Sequence, residues 1–245
     1  MGSSLKGMFR YTHFQAVAAN TAGRDFILAD LHGCYEQLLS VLEDVNFDRR
    51  CDRVLSVGDL IDRGKDSLNC LKLLQEDWFF SVQGNHENMM LGGIKAGPGS
   101  DPWRGWMQNG GEWYSKLSRQ QLSTIKTLLP LVTQMPITAI VSTTFGKTIG
   151  LSHAQPPIME WSKLKDGYRL SGDEIWRAMW SREVLRKNLQ TLVEGVDITF
   201  HGHTIIKTPK KIANMHFIDT GFYVNKKVRL IEVDETLFAP DHEIV

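Results

Sequence analysis

The sequence predicts an α/β fold in which parallel strands alternate with crossover helices and a helical segment interrupts the sheet. Three observations predict it. Short apolar runs of strand length recur at 24–30, 53–59 and 78–85. Stretches with leucine at helical spacing separate them, at 34–45 and 66–75. Strand-like runs return at 196–203, 215–221 and 227–233, after a middle rich in tryptophan and charge.

Each element has its own signal. "RDFILAD" (24–30) is a short apolar run, and "CYEQLLSVLEDV" (34–45) carries its leucines and valines on one helical face. "RVLSVGD" (53–59) is the second strand, and "DSLNCLKLLQ" (66–75) is helical with Asp66 as its expected cap. "WFFSVQGN" (78–85) is the third strand, and "HENMML" (86–91) starts another helix. Right-handed crossovers between these strands put their carboxyl ends on one edge of the sheet. "GGIKAGPGSDPWRG" (92–105) is Gly- and Pro-rich and reads as a loop. "RQQLSTIKTLL" (119–129) reads as a helix stopped by Pro130. Residues 137–153 read as a hairpin turning near Phe145-Gly146-Lys147, and a helix is expected around 173–189.

The 245 residues suffice for one large core or two small ones. We expect one domain over 1–245, with its core at about 24–233 and residues 1–23 as an N-terminal extension. Hydrophobic content is 42% and charged content 23%, as in globular proteins. Lys+Arg and Asp+Glu are 28 each, so no global field draws in nucleic acid or an acidic membrane. No apolar run approaches the roughly 18 residues of a membrane helix. The opening "MGSSLKGMFR" lacks a signal-peptide core, and Lys6 breaks the myristoylation pattern. The cysteines, Cys34, Cys51 and Cys70, are odd in number and form no Cys-x-x-Cys pair. Reduced thiols in a cytoplasmic protein are expected, with Cys34 a buried helix residue.

"VLSVGDLIDRG" (54–64) poses the functional question. Packing explains the apolar half but not Asp59, Asp62, Arg63 and Gly64 where the strand runs out. The other strands end alike, in "ADLHG", "VQGNHE", "LSH" and "FHGH". Asp30, His32, Asp59, Asn85, His86, His153, His201 and His203 thus stand just past strand ends, where open α/β sheets bind ligands. A lone aspartate there is commonly a turn former or helix cap. Five strand ends finishing in ligand types are harder to explain by packing. Carboxylate, amide and imidazole without thiolate suit hard and borderline divalent metals. Two aspartates, one asparagine and three histidines exceed one tetrahedral site and fit two ions sharing a carboxylate.

"DLHG", "GDLIDRG" and "GNHE", followed by "SHA" (152–154), "MWSRE" (179–183), "GHT" (202–204) and "FIDTG" (217–221), resemble the calcineurin-like metallophosphoesterases. Within them the chain is most similar to the phosphoprotein phosphatase branch. "WSR" and "NGGEW" (109–113) resemble the group holding the bacteriophage lambda and bacterial Ser/Thr protein phosphatases. The resemblance spans about 24–233 and implies a β-sheet sandwich flanked by helices, with a mainly helical insertion. Two departures stand out. Ala29 precedes Asp30 where the family has glycine, and His201 is an extra histidine, expected to be a plain strand or supporting residue.

The resemblance implies two divalent metal ions, Mn2+ first with Fe or Zn as alternatives. Asp30 and His32 would bind one, Asp59 would bridge, and Asn85, His153 and His203 would complete the other. Arg63 and Arg182 would grip phosphate oxygens, with Asn85 and His86 beside them. His86 would be the general acid and Asp62 would orient it. Alternative partners are Glu183 or another acid for Arg182, and Arg63 or a turn for Asp62. Two ions and two guanidinium groups, less two carboxylates, leave a local surplus of about four positive charges, matched to a phosphomonoester and hydroxide of about −3. The expected activity is phosphomonoester hydrolysis on a phosphorylated protein or peptide, by direct attack of a metal-generated hydroxide. A symmetrical dinucleoside polyphosphate hydrolase, with Trp103, Trp106, Trp113, Trp161, Trp176 or Trp180 as a base shelf, is the alternative on the same scaffold. An inactive metal-binding interaction module is the alternative of another class.

Overall fold

The computed structural model describes residues 11–225 and 229–239. Lys6 and part of the strand expected at 227–233 lie outside the described residues. In chain order the strands are β1 (Thr12–Val17), β2 (Asp25–Leu28), β3 (Arg53–Ser56), β4 (Phe79–Ser81), β5 (Pro136–Ser142), β6 (Thr148–Ser152), β7 (Ile198–His201), β8 (Lys210–Ile212), β9 (Met215–Phe217) and β10 (Leu230–Glu232). The helices are α1 (Tyr35–Asp44), α2 (Ser67–Lys72), α3 (Asn85–Ala96), α4 (Asp101–Trp106), α5 (Glu112–Ser115), α6 (Arg119–Gln134), α7 (Ser162–Lys165), α8 (Gly172–Trp180), α9 (Glu183–Lys187) and α10 (Phe222–Asn225).

Two sheets carry the fold, ordered β1-β5-β6-β7-β9-β8 and β10-β2-β3-β4. The pairs β2–β3 and β3–β4 are parallel, so the three predicted strands do finish on one edge. Their residues are buried on nearly all sides, and this is why they read as apolar runs rather than alternating ones. Ile27 and Leu55 of the smaller sheet, with Val82 just past β4, meet Val141, Ile149, Leu151 and Phe200 of the larger one in a shared core. On the smaller sheet's other face, Leu38, Leu42, Leu71, Met90, Trp106 and Leu128 form a second core under the helices. A third, with Trp161, Ile175, Met179 and Met215, covers the larger sheet's outer face. The layers are therefore helix, sheet, sheet, helix. Each fully buried leucine or isoleucine contributes roughly 1.5–3 kcal/mol.

Several expectations change. Residues 12–17, placed in an extension, form an edge strand parallel to β5, with Phe14 opposite Thr138. The loop expected at 92–105 shrinks to 97–100. Gly93 stays helical because it lets Trp106 approach, its added Cβ lying 2.9 Å from the indole. Ser100 caps α4 by accepting the Trp103 N–H at 3.2 Å, and Pro102 sits in the first turn, where no helical N–H is needed. Pro130 does not stop α6. It lies on the exposed face, where water can satisfy the freed Lys126 carbonyl, while Ile125, Leu128 and Val132 bury the opposite face. The helix expected at 173–189 breaks into α8 and α9 at Ser181, whose backbone is extended. Cys34 is the half-buried residue preceding α1 rather than a buried helix position. Asp66 caps α2 as expected, accepting the Asn69 N–H at 3.3 Å, and the hairpin turns at Gly146.

Candidate metal centre and active site

Turns after the strands bring the polar residues together. Asp30 and His32 follow β2, Asp59 follows β3, Asn85 opens α3 after β4, His153 follows β6 and His203 follows β7. The chain must reverse sharply here. His32, Asp59, Asp62, Arg63 and His203 all have left-handed backbones, with φ of 43°, 52°, 73°, 68° and 66°. Such conformations cost of order 1–3 kcal/mol each and persist only where the surroundings enforce them. Here the Leu31 and His32 N–H groups both donate to the Asp59 carbonyl, at 3.0 and 2.9 Å. Gly64 is required for close approach, since an added Cβ would lie 2.1 Å from the His32 carbonyl oxygen.

Asp59 is the centre of the site. Its Oδ2 lies 3.2 Å from His153 Nε2, 3.7 Å from His32 Nε2 and 3.9 Å from His86 Nε2. Two donor groups share it: His32, Asp59 and His86, and Asp59, His153 and His203. The tautomers follow from the backbone. His32 Nδ1 donates to the Ile61 carbonyl and His153 Nδ1 to the Val57 carbonyl, both at 2.9 Å. Each ring is thereby oriented with its Nε2 toward the carboxylate. Asn85 Oδ1 lies 2.9 Å from both His153 Nε2 and His203 Nδ1.

The electrostatics fit cations. Asp30 Oδ1 is buried without a hydrogen-bond partner, and Gly202 makes room for it, an added Cβ falling 1.8 Å away. Burial, reinforced by Asp219, pushes the Asp30 carboxyl well above its ordinary range. Burial alone would lower His153, but Asp59 and Asp30 outweigh it and hold the imidazole up to about 10. Crowded buried carboxylates of this kind call for positive charge. Oxygen and imidazole donors without thiolate suit divalent Mn, Fe or Zn. Asp30, His32, Asp59, Asn85, His153 and His203 could hold such ions.

The remaining predicted residues are gathered at the same place. His86 Nδ1 meets Asp62 Oδ2 at 2.7 Å, with both side chains fully buried. The Asp62 carboxylate thus bonds to neither Arg63 nor a turn amide; only its backbone carbonyl accepts one, the Gly64 N–H at 2.7 Å. Arg63 Nη1 lies 2.6 Å from His32 Nε2, and its guanidinium packs over the Tyr223 ring at 4.9 Å. Arg182 precedes α9, close enough to Arg63 and Asp59 for their charges to act on it, though burial is the larger influence and lowers it. Its alternative partner Glu183 instead takes Lys187 Nζ at 2.7 Å. His201 stays out of both donor groups. It sits between Ser152 and Thr199, and burial lowers it to about 3.

Sequence reasoning missed three supports. Glu87 is fully buried and accepts the backbone N–H groups of Asp59, Leu60 and Gly84 at 3.0, 2.8 and 2.9 Å. Its signal was present, as a glutamate at the third position of a helix in a capping-box pattern. Trp106 and Trp113 both reach Asp62, and no local pattern announced them.

A sandwich of two sheets with strand-end carboxylates and imidazoles around one shared aspartate defines a metal-dependent phosphoesterase. The chain belongs to the calcineurin-like phosphoesterases, whose sequence profile matches residues 26–207. It is a phosphatase hydrolase of a family that uses divalent metals. Serine/threonine-protein phosphatase 1 of Salmonella typhimurium is 32% identical over 222 residues, covering 90% of this chain and 96% of that protein. The symmetrical bis(5'-nucleosyl)-tetraphosphatase of Glaesserella parasuis is 40% identical over 76 residues, 29% of this chain and 28% of that protein. A crystal structure provisionally assigned as a diadenosine tetraphosphatase shares the fold. Its TM-score is 0.61 at 19% identity, covering 91% of this chain and 98% of that one.

Proposed function

We propose that the protein is a serine/threonine protein phosphatase acting on phosphorylated proteins or peptides in the cytoplasm. The observation that carries this reading is the His86–Asp62 pair at 2.7 Å, with His86 Nε2 facing the shared Asp59 carboxylate. The extent of similarity supports it. The phosphatase relative aligns along nearly the whole chain, while the tetraphosphatase relative aligns over less than a third. The three cysteines are free, which suits a reducing compartment. The equal positive and negative charge of the chain favours neither nucleic acid nor membrane as a partner.

Asp30, His32, Asp59, Asn85, His153 and His203 would hold two divalent ions, Mn2+ in our reading, with Fe or Zn served by the same donors. Such ions, when bound, lower the pKa of water and neutralise charge on phosphate. Arg63 and Arg182 bind the non-bridging phosphate oxygens through their guanidinium forks. Asn85 and His86 line the same wall. A water oxygen forms the new bond to phosphorus as the ester P–O bond breaks, and the proton this water sheds passes to solvent, from which His86 is reprotonated after the turnover. His86 gives its Nε2 proton to the departing serine or threonine oxygen, and Asp62 keeps the ring turned toward it through Nδ1. The products are an alcohol and inorganic phosphate, and no side chain is phosphorylated.

The dinucleoside reading needs an exposed base shelf; Trp106 and Trp161 are fully buried, which leaves Trp176, 50% exposed, and Trp180, beside the His203 ring, among the residues that could serve it. The deciding experiment compares turnover of a phosphoserine peptide and a dinucleoside tetraphosphate by the Mn2+-loaded protein, with chelator as control. Preference for the peptide is expected. Preference for the dinucleotide would overturn the assignment.

A further inference from the structure

Asp62 receives more than His86. Its Oδ1 accepts the Trp113 indole N–H at 2.7 Å, and the Trp106 indole N–H reaches Oδ1 at 3.1 Å and Oδ2 at 3.0 Å. His86 Nδ1 takes the remaining direction at Oδ2, and the carboxylate has no solvent exposure. The Asp62 backbone is pinned as well, its N–H donating to Ser67 Oγ at 2.9 Å. Three ring N–H donors thus fix both the position and the plane of one carboxylate.

The segment "WMQNGGEW" (106–113) is shaped for this. Between α4 and α5 the chain makes a wide turn over Met107–Gly111. Gly110 takes φ 104° there, and an added Cβ would lie 2.8 Å from the Arg63 backbone nitrogen. At Gly111 an added Cβ would lie 2.7 Å from Trp106 Nε1, so glycine lets the turn fold back over the indole. Both tryptophans then present their N–H edges to the same acid. The rings also touch, Trp106 meeting Trp113 edge to face at 6.3 Å and Tyr114 at a tilt at 5.2 Å. Such ring contacts need only aromatic area; the shared aim of two indole N–H groups at one carboxylate is a separate feature.

We propose that Trp106 and Trp113 are positioning residues that act on the reaction through Asp62, holding its carboxylate so that His86 is presented to the leaving oxygen. This rests on the reading of His86 as general acid. A buried carboxylate with one donor can pivot about that bond; with two indoles on its far side it cannot. The orientation of His86 is then set by a segment 44 to 51 residues away in sequence from Asp62.

The test uses the Mn2+-loaded full chain and Trp113→Phe, which keeps the ring and removes the donor. His86→Asn is measured alongside, on phenyl phosphate (poor leaving group) and 4-nitrophenyl phosphate (good leaving group). We expect Trp113→Phe to lower kcat roughly tenfold on phenyl phosphate and less than about threefold on the nitrophenyl ester, with KM unchanged. Proton NMR of the metal-free protein gives a second readout, the His86 Nδ1–H resonance, which should move upfield in the variant. Equal losses on both esters, or none, with an unmoved resonance, would overturn the proposal. Trp106→Phe should act in the same direction; if its buried site prevents folding, the partly exposed Trp113 decides alone. Should His86→Asn itself lose equally on both esters, the acid assignment fails. The His86 resonance then still judges whether the indoles hold the imidazole.

Discussion

Glu87 holds Asp59 from behind: its Oε2 accepts the Asp59 backbone N–H at 3.0 Å, while Oε1 accepts that of Leu60 at 2.8 Å. The carboxylate shared by both donor groups is therefore aimed by a second, fully buried carboxylate. Burial raises Glu87 to about 7, with Asp59 adding to the rise. Glu87→Gln keeps the shape but turns one accepting oxygen into a donor that faces an N–H. We expect divalent-ion affinity to fall about 10–100-fold, read by calorimetric titration. Unchanged affinity would show that Asp59 needs no such support.

Asp59→Asn removes the one charge common to both groups. The protein should fold, since the amide is isosteric, yet lose metal-dependent turnover on nitrophenyl phosphate. Equilibrium dialysis should find fewer than two ions retained. Full turnover with two bound ions would remove Asp59 from the bridging role.

His86→Asn should lower kcat by about 10²–10⁴ with ion binding intact, because Nε2 donates a proton and is not required as a ligand. The loss should be smallest on esters with good leaving groups. A parallel loss of bound metal would recast His86 as a ligand, a role its place in the His32–Asp59 donor group also permits.

Ion removal should destabilise the fold. Asp30 Oδ1 is buried without a partner and Asp30 is already pushed upward by burial and Asp219. Bound cations relieve that. Tm should rise with added Mn2+, corresponding to about 2.7 kcal/mol at a hundredfold excess over Kd. A Tm indifferent to Mn2+ and to chelator would deny that these residues bind it.

Far from the site, Asp52 predicts a pH effect. Burial pushes its carboxyl up, but the Arg24 guanidinium at 2.7 Å and the N–H groups of Arg24 and Asp48 hold it below its ordinary value. A depressed native pKa contributes stability that is present above the unfolded value, about 3.9, and lost as pH falls through the native one. Asp52→Asn should cost about 1–3 kcal/mol at pH 7 by urea unfolding. The difference from the parent should vanish in strong acid. A cost independent of pH would assign the effect to packing.

The sequence alone determined the chemistry at the strand ends. Asp30, Asp59, Asn85, His153 and His203 follow apolar runs whose strand character is local, so their types and places could be read directly. The gathering of β2, β3 and β4 on one edge followed from crossover handedness. Only tertiary structure decided what lies between distant segments. The edge strand at 12–17 exists because β5 offers a parallel partner more than a hundred residues away. Pro130 is tolerated because the other face of α6 is buried. Which of several tryptophans support the site depended on the turn at Gly110 and Gly111 carrying Trp113 back to Asp62. Local patterns report backbone preference and side-chain chemistry. The direction in which a buried N–H points is fixed by packing across the chain, and no window of sequence contains it.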